Sequence, residues 1–169
     1  PSPQPTINIS LTELWNGSNW TEVNDMNTGR YGVRGAGTQT AALGTAGNIH
    51  GVGVSNTNET WNGTNWTEVN DLNTARRVMG SAGTQTSALA FGGGPNLAIT
   101  ESWNGTNWTE VNDLNTGREN LGGAGADNTS AIAFAGSAAP GDSAATELWN
   151  GTNWTEVNDL NLARAELRG

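Results

Sequence analysis

Residues 103–111 read Trp103-Asn104-Gly105-Thr106-Asn107-Trp108-Thr109-Glu110-Val111, and the same phrase opens at Trp61, at Trp149 and, with Ser18 for the threonine, at Trp15. Successive copies start 46, 42 and 46 residues apart. A period of that length marks one small supersecondary unit per repeat, unable to bury its apolar face alone and stable only against its neighbours. Function is therefore to be sought in what the array presents, and less in a single cleft.

Around each phrase the chain punctuates itself into short extended segments. In the unit preceding Trp108, the first segment is Val78 to Ala82 and the second Ser87 to Phe91, closed by Gly92-Gly93-Gly94. The third is Ala98 to Trp103 and the fourth Asn107 to Val111. Asn-Gly between the third and fourth predicts a hairpin with a type I′ turn, because both residues tolerate positive φ. In Trp-Thr-Glu-Val, Trp108 and Glu110 share one face and Thr109 and Val111 the other, so neither face is wholly polar and the strand is expected to pack between neighbours. Recurrent Gly, Asn and Thr disfavour helix throughout. The fold class expected is all-β, built from four-stranded antiparallel units. The boundaries read are a lead segment 1–6, a half unit 7–27, repeats 28–73, 74–115 and 116–161, and a partial unit 162–169.

Of the 169 residues 24 are glycine and 34% are apolar, so the core must be thin and built from Ala, Val, Leu and the eight tryptophans. Lysine is absent, the seven basic residues are all arginine, and the formal net charge is −9. With no basic stripe to release counterions, nucleic acid is not an expected partner. Twelve of the sixteen acids recur with the motif (Glu13, Glu22, Asp25 and their counterparts), so the acidity is spread along the array. The absence of cysteine excludes disulfides and thiolate chemistry. No apolar run approaches the ~20 residues of a membrane span, so membrane insertion is not expected.

Strand, turn, strand ending in Gly-Gly, a Glu-aromatic strand, turn, Asn-Trp strand, then Leu-Asn-Thr-(Ala/Gly)-Arg: this order resembles the kelch repeat of β-propellers across residues 7 to 169. The double glycine stands at Gly92-Gly93 and becomes Ala46-Gly47 and Ala135-Gly136 in the flanking units, which departs from the pattern. The resemblance implies propeller blades of four antiparallel strands, about three full blades with partial units at both ends. It places the third-strand aromatic at Trp15, Trp61, Trp103 and Trp149, and the rim aromatic at Trp20, Trp66, Trp108 and Trp154.

Recurrence separates structural residues from candidate ligand contacts. Trp20, Trp66, Trp108 and Trp154 are expected to pack between units, so that Trp66→Ala and Trp108→Ala each cost roughly 3–5 kcal/mol and Trp61→Ala less. Trp15, Trp61, Trp103 and Trp149, beside the Asn-Gly turns, are the candidate ligand-binding surface, since indole faces stack on sugar rings. Glu13, Glu59, Glu101 and Glu147 recur with Arg30, Arg76, Arg118 and Arg164, and a fourfold acid–arginine pattern predicts structural bridges, the planar guanidinium gripping a carboxylate. Catalysis needs one asymmetric constellation, and none is expected. Asn24, Asp25 and Asn27 with their counterparts offer oxygen ligands, but one carboxylate per site is sparse for Ca²⁺, so neither metal nor cofactor is expected. His50, the only histidine, reads as a turn or surface residue. Asn-x-Ser/Thr occurs at Asn8, Asn16, Asn19, Asn58, Asn62, Asn65, Asn104, Asn107, Asn128, Asn150 and Asn153; each is a glycan acceptor only in a secreted eukaryotic setting.

The reading that follows is a non-enzymatic structural or binding module, extracellular or on a virion or cell surface, since its near-identical Asn/Thr/Gly-rich repeats resemble those of phage tails and secreted adhesins. Its expected partners are copies of itself or adjoining repeats, and glycans or a cell-surface protein. An enzyme of the oxidase or lyase class and an intracellular kelch adaptor remain the alternatives. Closed propellers need 4–8 blades, and the strand count predicts that 169 residues do not close alone, so self-association or a longer repeat polypeptide is expected to complete the array.

Overall fold

The computed structural model describes residues 9–166; the lead segment 1–6, Asn8 and the last three residues of the partial unit 162–169 lie outside them. All regular structure in the described residues is β. A hairpin of β1 (Thr12–Trp15) and β2 (Trp20–Val23) comes first. Three four-stranded antiparallel sheets follow in sequence. The first contains β3 (Arg34–Thr38), β4 (Ala41–Ile49), β5 (Gly53–Trp61) and β6 (Trp66–Val69). The second contains β7 (Gly80–Gly83), β8 (Ala88–Phe91), β9 (Thr100–Trp103) and β10 (Trp108–Val111). The third contains β11 (Gly122–Asp127), β12 (Ser130–Phe134), β15 (Thr146–Trp149) and β16 (Trp154–Val157), with a small hairpin, β13 (Ser137–Ala138) and β14 (Gly141–Asp142), inserted between its second and third strands.

Each hairpin of third and fourth strands pairs its tryptophans directly, Trp15 with Trp20, Trp61 with Trp66, Trp103 with Trp108 and Trp149 with Trp154. The turn between them is not type I′. Only its glycine has positive φ, 95° at Gly17 and 91° at Gly105. The asparagine side chain takes over instead: Asn104 Oδ1 accepts from the N–H groups of Thr106 and Asn107, as Asn16, Asn62 and Asn150 do in their units. An Asn side-chain carbonyl mimics a backbone acceptor and satisfies the turn without a second positive φ.

The core forms between neighbouring sheets, where apolar residues on their facing sides meet. One cluster joins Leu43, Leu72, Met79, Ala88, Ala90, Trp103 and Trp108 between the first and second sheets. The other joins Leu89, Phe91, Leu114, Leu121, Ala131, Ala133, Trp149 and Trp154 between the second and third, with Phe91 meeting Trp154 edge to face at 4.9 Å. The first strands β3, β7 and β11 run next to one another. Their small residues follow from this crowding: a Cβ on Gly123 would lie 2.5 Å from the Phe91 ring and 2.8 Å from the Ser81 carbonyl.

The degraded double glycines keep the glycine conformation. Ala46 and Ala135 adopt φ of 54° and 58°, against 67° at Gly92. A non-glycine residue in the left-handed region costs roughly 1–2 kcal/mol, partly offset by the freedom glycine gives the unfolded chain. Ala46→Gly and Ala135→Gly are each expected to stabilise the protein by up to about 1 kcal/mol in chemical denaturation, whereas Gly92→Ala, whose Cβ would come within 2.6 Å of the Arg118 carbonyl, is expected to destabilise it.

Candidate functional site: the junction between units

Three buried ion pairs mark the junctions. Arg30 meets Glu59 at 2.9 Å, Arg76 meets Glu101 at 3.0 Å and Arg118 meets Glu147 at 2.7 Å, through single guanidinium nitrogens. Each arginine lies in the linker that follows one unit, and each glutamate on the third strand of the next, so the side chain reaches along the sheet it precedes. Its other amino group donates to backbone carbonyls: Arg76 to Gly92 and Ile99, Arg30 to Ala46 and Thr57, Arg118 to Ala135 and Ala145. Burial pushes all three guanidinium groups below the ordinary arginine value, and the facing glutamate opposes that shift.

The other carboxylate oxygen is held by asparagine, a partner that the acid–arginine recurrence did not reveal. Glu101 Oε2 accepts from both the backbone N–H and the side-chain amide of Asn73 at 2.8 Å. Asn27 holds Glu59 and Asn115 holds Glu147 in the same way. Each carboxylate is thus pinned by an Asn and an Arg three residues apart in one linker. The signal was present in the sequence, since Asn-x-x-Arg repeats with the glutamate.

A second rung lies at the outer edge. Asn24 donates to the Thr64 carbonyl and to Asn65 Oδ1 of the next turn, and Asn70 and Asn112 repeat the contact onto Thr106 and Asn107 and onto Thr152 and Asn153. A third rung is an indole donor. Trp66 Nε1 bonds Thr12 Oγ1 at 2.9 Å, and Trp154 Nε1 bonds Thr100 Oγ1 at 3.0 Å, each reaching back one unit. At the middle junction the corresponding atoms, Trp108 Nε1 and Asn58 Oδ1, are both buried without a hydrogen-bond partner.

The expected ligand surface is rearranged. Trp61, Trp103 and Trp149 are 2%, 0% and 3% exposed, and their indole N–H groups bond the carbonyls of Gln39, Gln85 and Asn128. Each is buried against its partner tryptophan, with ring centroids 5.3 to 5.4 Å apart, so its face is not open to solvent; within this set only Trp15 is open. The rim set divides as well: Trp108 and Trp154 are buried, Trp66 is half-buried, and Trp20 is 64% exposed. Trp61 is thus the deeper member of its pair, which leads us to expect the larger cost at Trp61 and not at Trp66.

The remaining candidates also have structural places. Asp71, Asp113 and Asp159 each accept through Oδ1 from the backbone N–H groups of Asn58, Thr100 and Thr146. No group of three His, Asp or Glu residues placed to hold a metal occurs among the described residues. His50 sits in the exposed turn between β4 and β5. No helix of the described residues is long and apolar enough to cross a membrane. No protein-family model matches the chain, and no curated protein matches it.

Glu13 and Arg164 stand apart from the other members of their sets. Among the described residues Glu13 is exposed and carries no ion pair, and the exposed Arg164 side chain has only the Leu162 carbonyl as a hydrogen-bond partner. Removing one member of a buried pair leaves the other charge uncompensated, so Glu101→Ala is expected to cost about 3–5 kcal/mol and Glu13→Ala nearly nothing. By the same logic Trp61→Ala is expected to cost about 3–5 kcal/mol, with Trp20→Ala within about 0.5 kcal/mol of the parent. Chemical denaturation of the four variants checks both contrasts.

Proposed function

We propose that this chain is a non-enzymatic structural module, a run of kelch-like propeller blades on the outside of a virion or cell, built to interlock with further units of its own kind. The observation that carries the reading is the junction itself. Glu59, Glu101 and Glu147, Arg30, Arg76 and Arg118, the linker asparagines and the indoles of Trp66 and Trp154 are engaged in joining one unit to the next. A radial arrangement is supported by three face-packed sheets whose small-residue first strands lie together, as blades around an axis require.

What the array leaves open to a glycan or protein is a row of identical exposed turns, Asn16-Gly17, Asn62-Gly63, Asn104-Gly105 and Asn150-Gly151, set at each unit's outer corner. Such a surface suits avid, multivalent contact. An antibody raised against the chain and applied to intact source particles or cells tests the placement: label on unbroken surfaces is expected, and label that requires lysis would contradict it.

A further inference from the structure

We infer that the two end faces of the chain are the complementary halves of one more junction, and that a second copy docks head to tail through them. The inference rests on the interlocking-module reading and specifies the residues that carry it.

Each internal junction combines a trailing set on one unit with a leading set on the next. The first hairpin carries a leading set to which no described arginine is joined. Glu13 and Glu22 stand directly opposite each other in the β1–β2 register, as Glu59 and Glu68 do in the first sheet. There Arg30 neutralises the pair, through its bond to Glu59 and its attraction to both carboxylates. At the hairpin no described cation does so, leaving two like charges adjacent, an arrangement that disfavours the isolated face. Trp15 and Trp20 lie on the same face as these carboxylates, 43% and 64% exposed. The Asn19 side chain and the Ser18 carbonyl correspond to the acceptors that Asn24, Asn70 and Asn112 find on the other turns.

The linker after the third sheet carries a trailing set that meets no described glutamate. Arg164 follows Asn161 by three residues, the spacing that grips glutamate elsewhere, and the linker backbone is already in place. Gly136 N–H bonds the Arg164 carbonyl as Gly47 and Gly93 bond those of Arg76 and Arg118. Glu166 N–H bonds the Asn120 carbonyl as Asn120 bonds that of Val78, and all three of Val78, Asn120 and Glu166 have positive φ. The segment up to residue 166 thus follows the path that leads into a next unit. Asn158 matches the outer-rung donors and Thr146 the Trp acceptor. On the same face Leu148 and Val157 are 45% and 36% exposed, whereas the internal counterparts of Val157, Val69 and Val111, pack against the clusters that hold the following tryptophan pair.

Charge, hydrogen-bond donors and apolar surface therefore correspond one to one, Arg164 and Asn161 to Glu13, Asn158 to Asn19, Thr146 to Trp20, and Val157 to the Trp15–Trp20 pair. The occupant of both faces is a second copy of this chain.

Charge reversal in separate molecules tests it. Glu13→Arg and Arg164→Glu alter exposed side chains, so circular dichroism and melting are expected to match the parent. By analytical ultracentrifugation the parent self-associates, and each variant alone dissociates at least ~10-fold more readily because its ends now repel. Mixing the two restores assembly, since each interface of the mixed complex then pairs an Arg with a Glu. Val157→Asp, which removes apolar contact without touching either charge, weakens assembly as well. A parent that stays monomeric into the tens of micromolar, reversal variants that assemble like the parent, or a mixture that fails to recover would each overturn the inference. Label confined to the particle interior, by contrast, would remove the surface placement and leave this assembly untouched.

Discussion

A glutamate carboxylate with no exposure to water is the constraint on which each junction depends. Withdrawing such a charge from solvent costs several kcal/mol, recovered only when the geometry supplies enough hydrogen bonds and an opposite charge. Glu101 receives the Arg76 guanidinium on one oxygen and two N–H groups of Asn73 on the other. All these donors come from the linker between units. The linker cannot wander without leaving the carboxylate bare, so the relative placement of two sheets is fixed by a few residues of connecting chain. An apolar contact of similar area would hold the sheets together but would tolerate sliding.

Around that pin the packing is arranged by size. Tryptophan pairs with ring centroids 5.3 to 5.5 Å apart widen the outer hairpins, and glycine-rich first strands let the inner edges approach. At Gly80 and Gly122 a Cβ would fall 2.3 and 2.5 Å from the rings of Phe91 and Phe134 on the neighbouring strand. Bulky tryptophan pairs on the third and fourth strands and small residues on the first strands make the two sides of each four-stranded sheet unequal in width. Each internal junction is asymmetric, with the acid on the third strand of one sheet and the arginine in the linker that precedes that sheet.

Much of this was legible because repetition isolates what every unit needs. The four extended segments preceding Val111 fall within two residues of β7 to β10, and the Glu and Arg recurrence pointed to a structural bridge. Three things were not legible. Asn27, Asn73 and Asn115 recur with the Glu and Arg, but asparagine is so common in turns that the recurrence alone does not assign them a carboxylate. The burial order of the tryptophans depends on which face meets a neighbour, and alternation alone does not say whether Trp61 or Trp66 lies deeper. The long β4 and β5 and the inserted β13–β14 hairpin come from unit-specific stretches, where no second copy existed to average out the noise. Ala46 and Ala135 hold a left-handed turn that composition would assign to glycine, showing tertiary packing overriding local preference.

The central claim is that the carboxylate and the linker arginine act as one unit and not as two independent stabilising residues. A double-mutant cycle of Arg118→Ala and Glu147→Ala, followed by chemical denaturation, measures this directly. The account predicts that the double variant is little less stable than either single one, with a coupling energy near the upper end of the ~0.5–3 kcal/mol seen for contacting residues. Simple additivity, with each substitution destabilising to the same degree whether or not its partner is present, would contradict it.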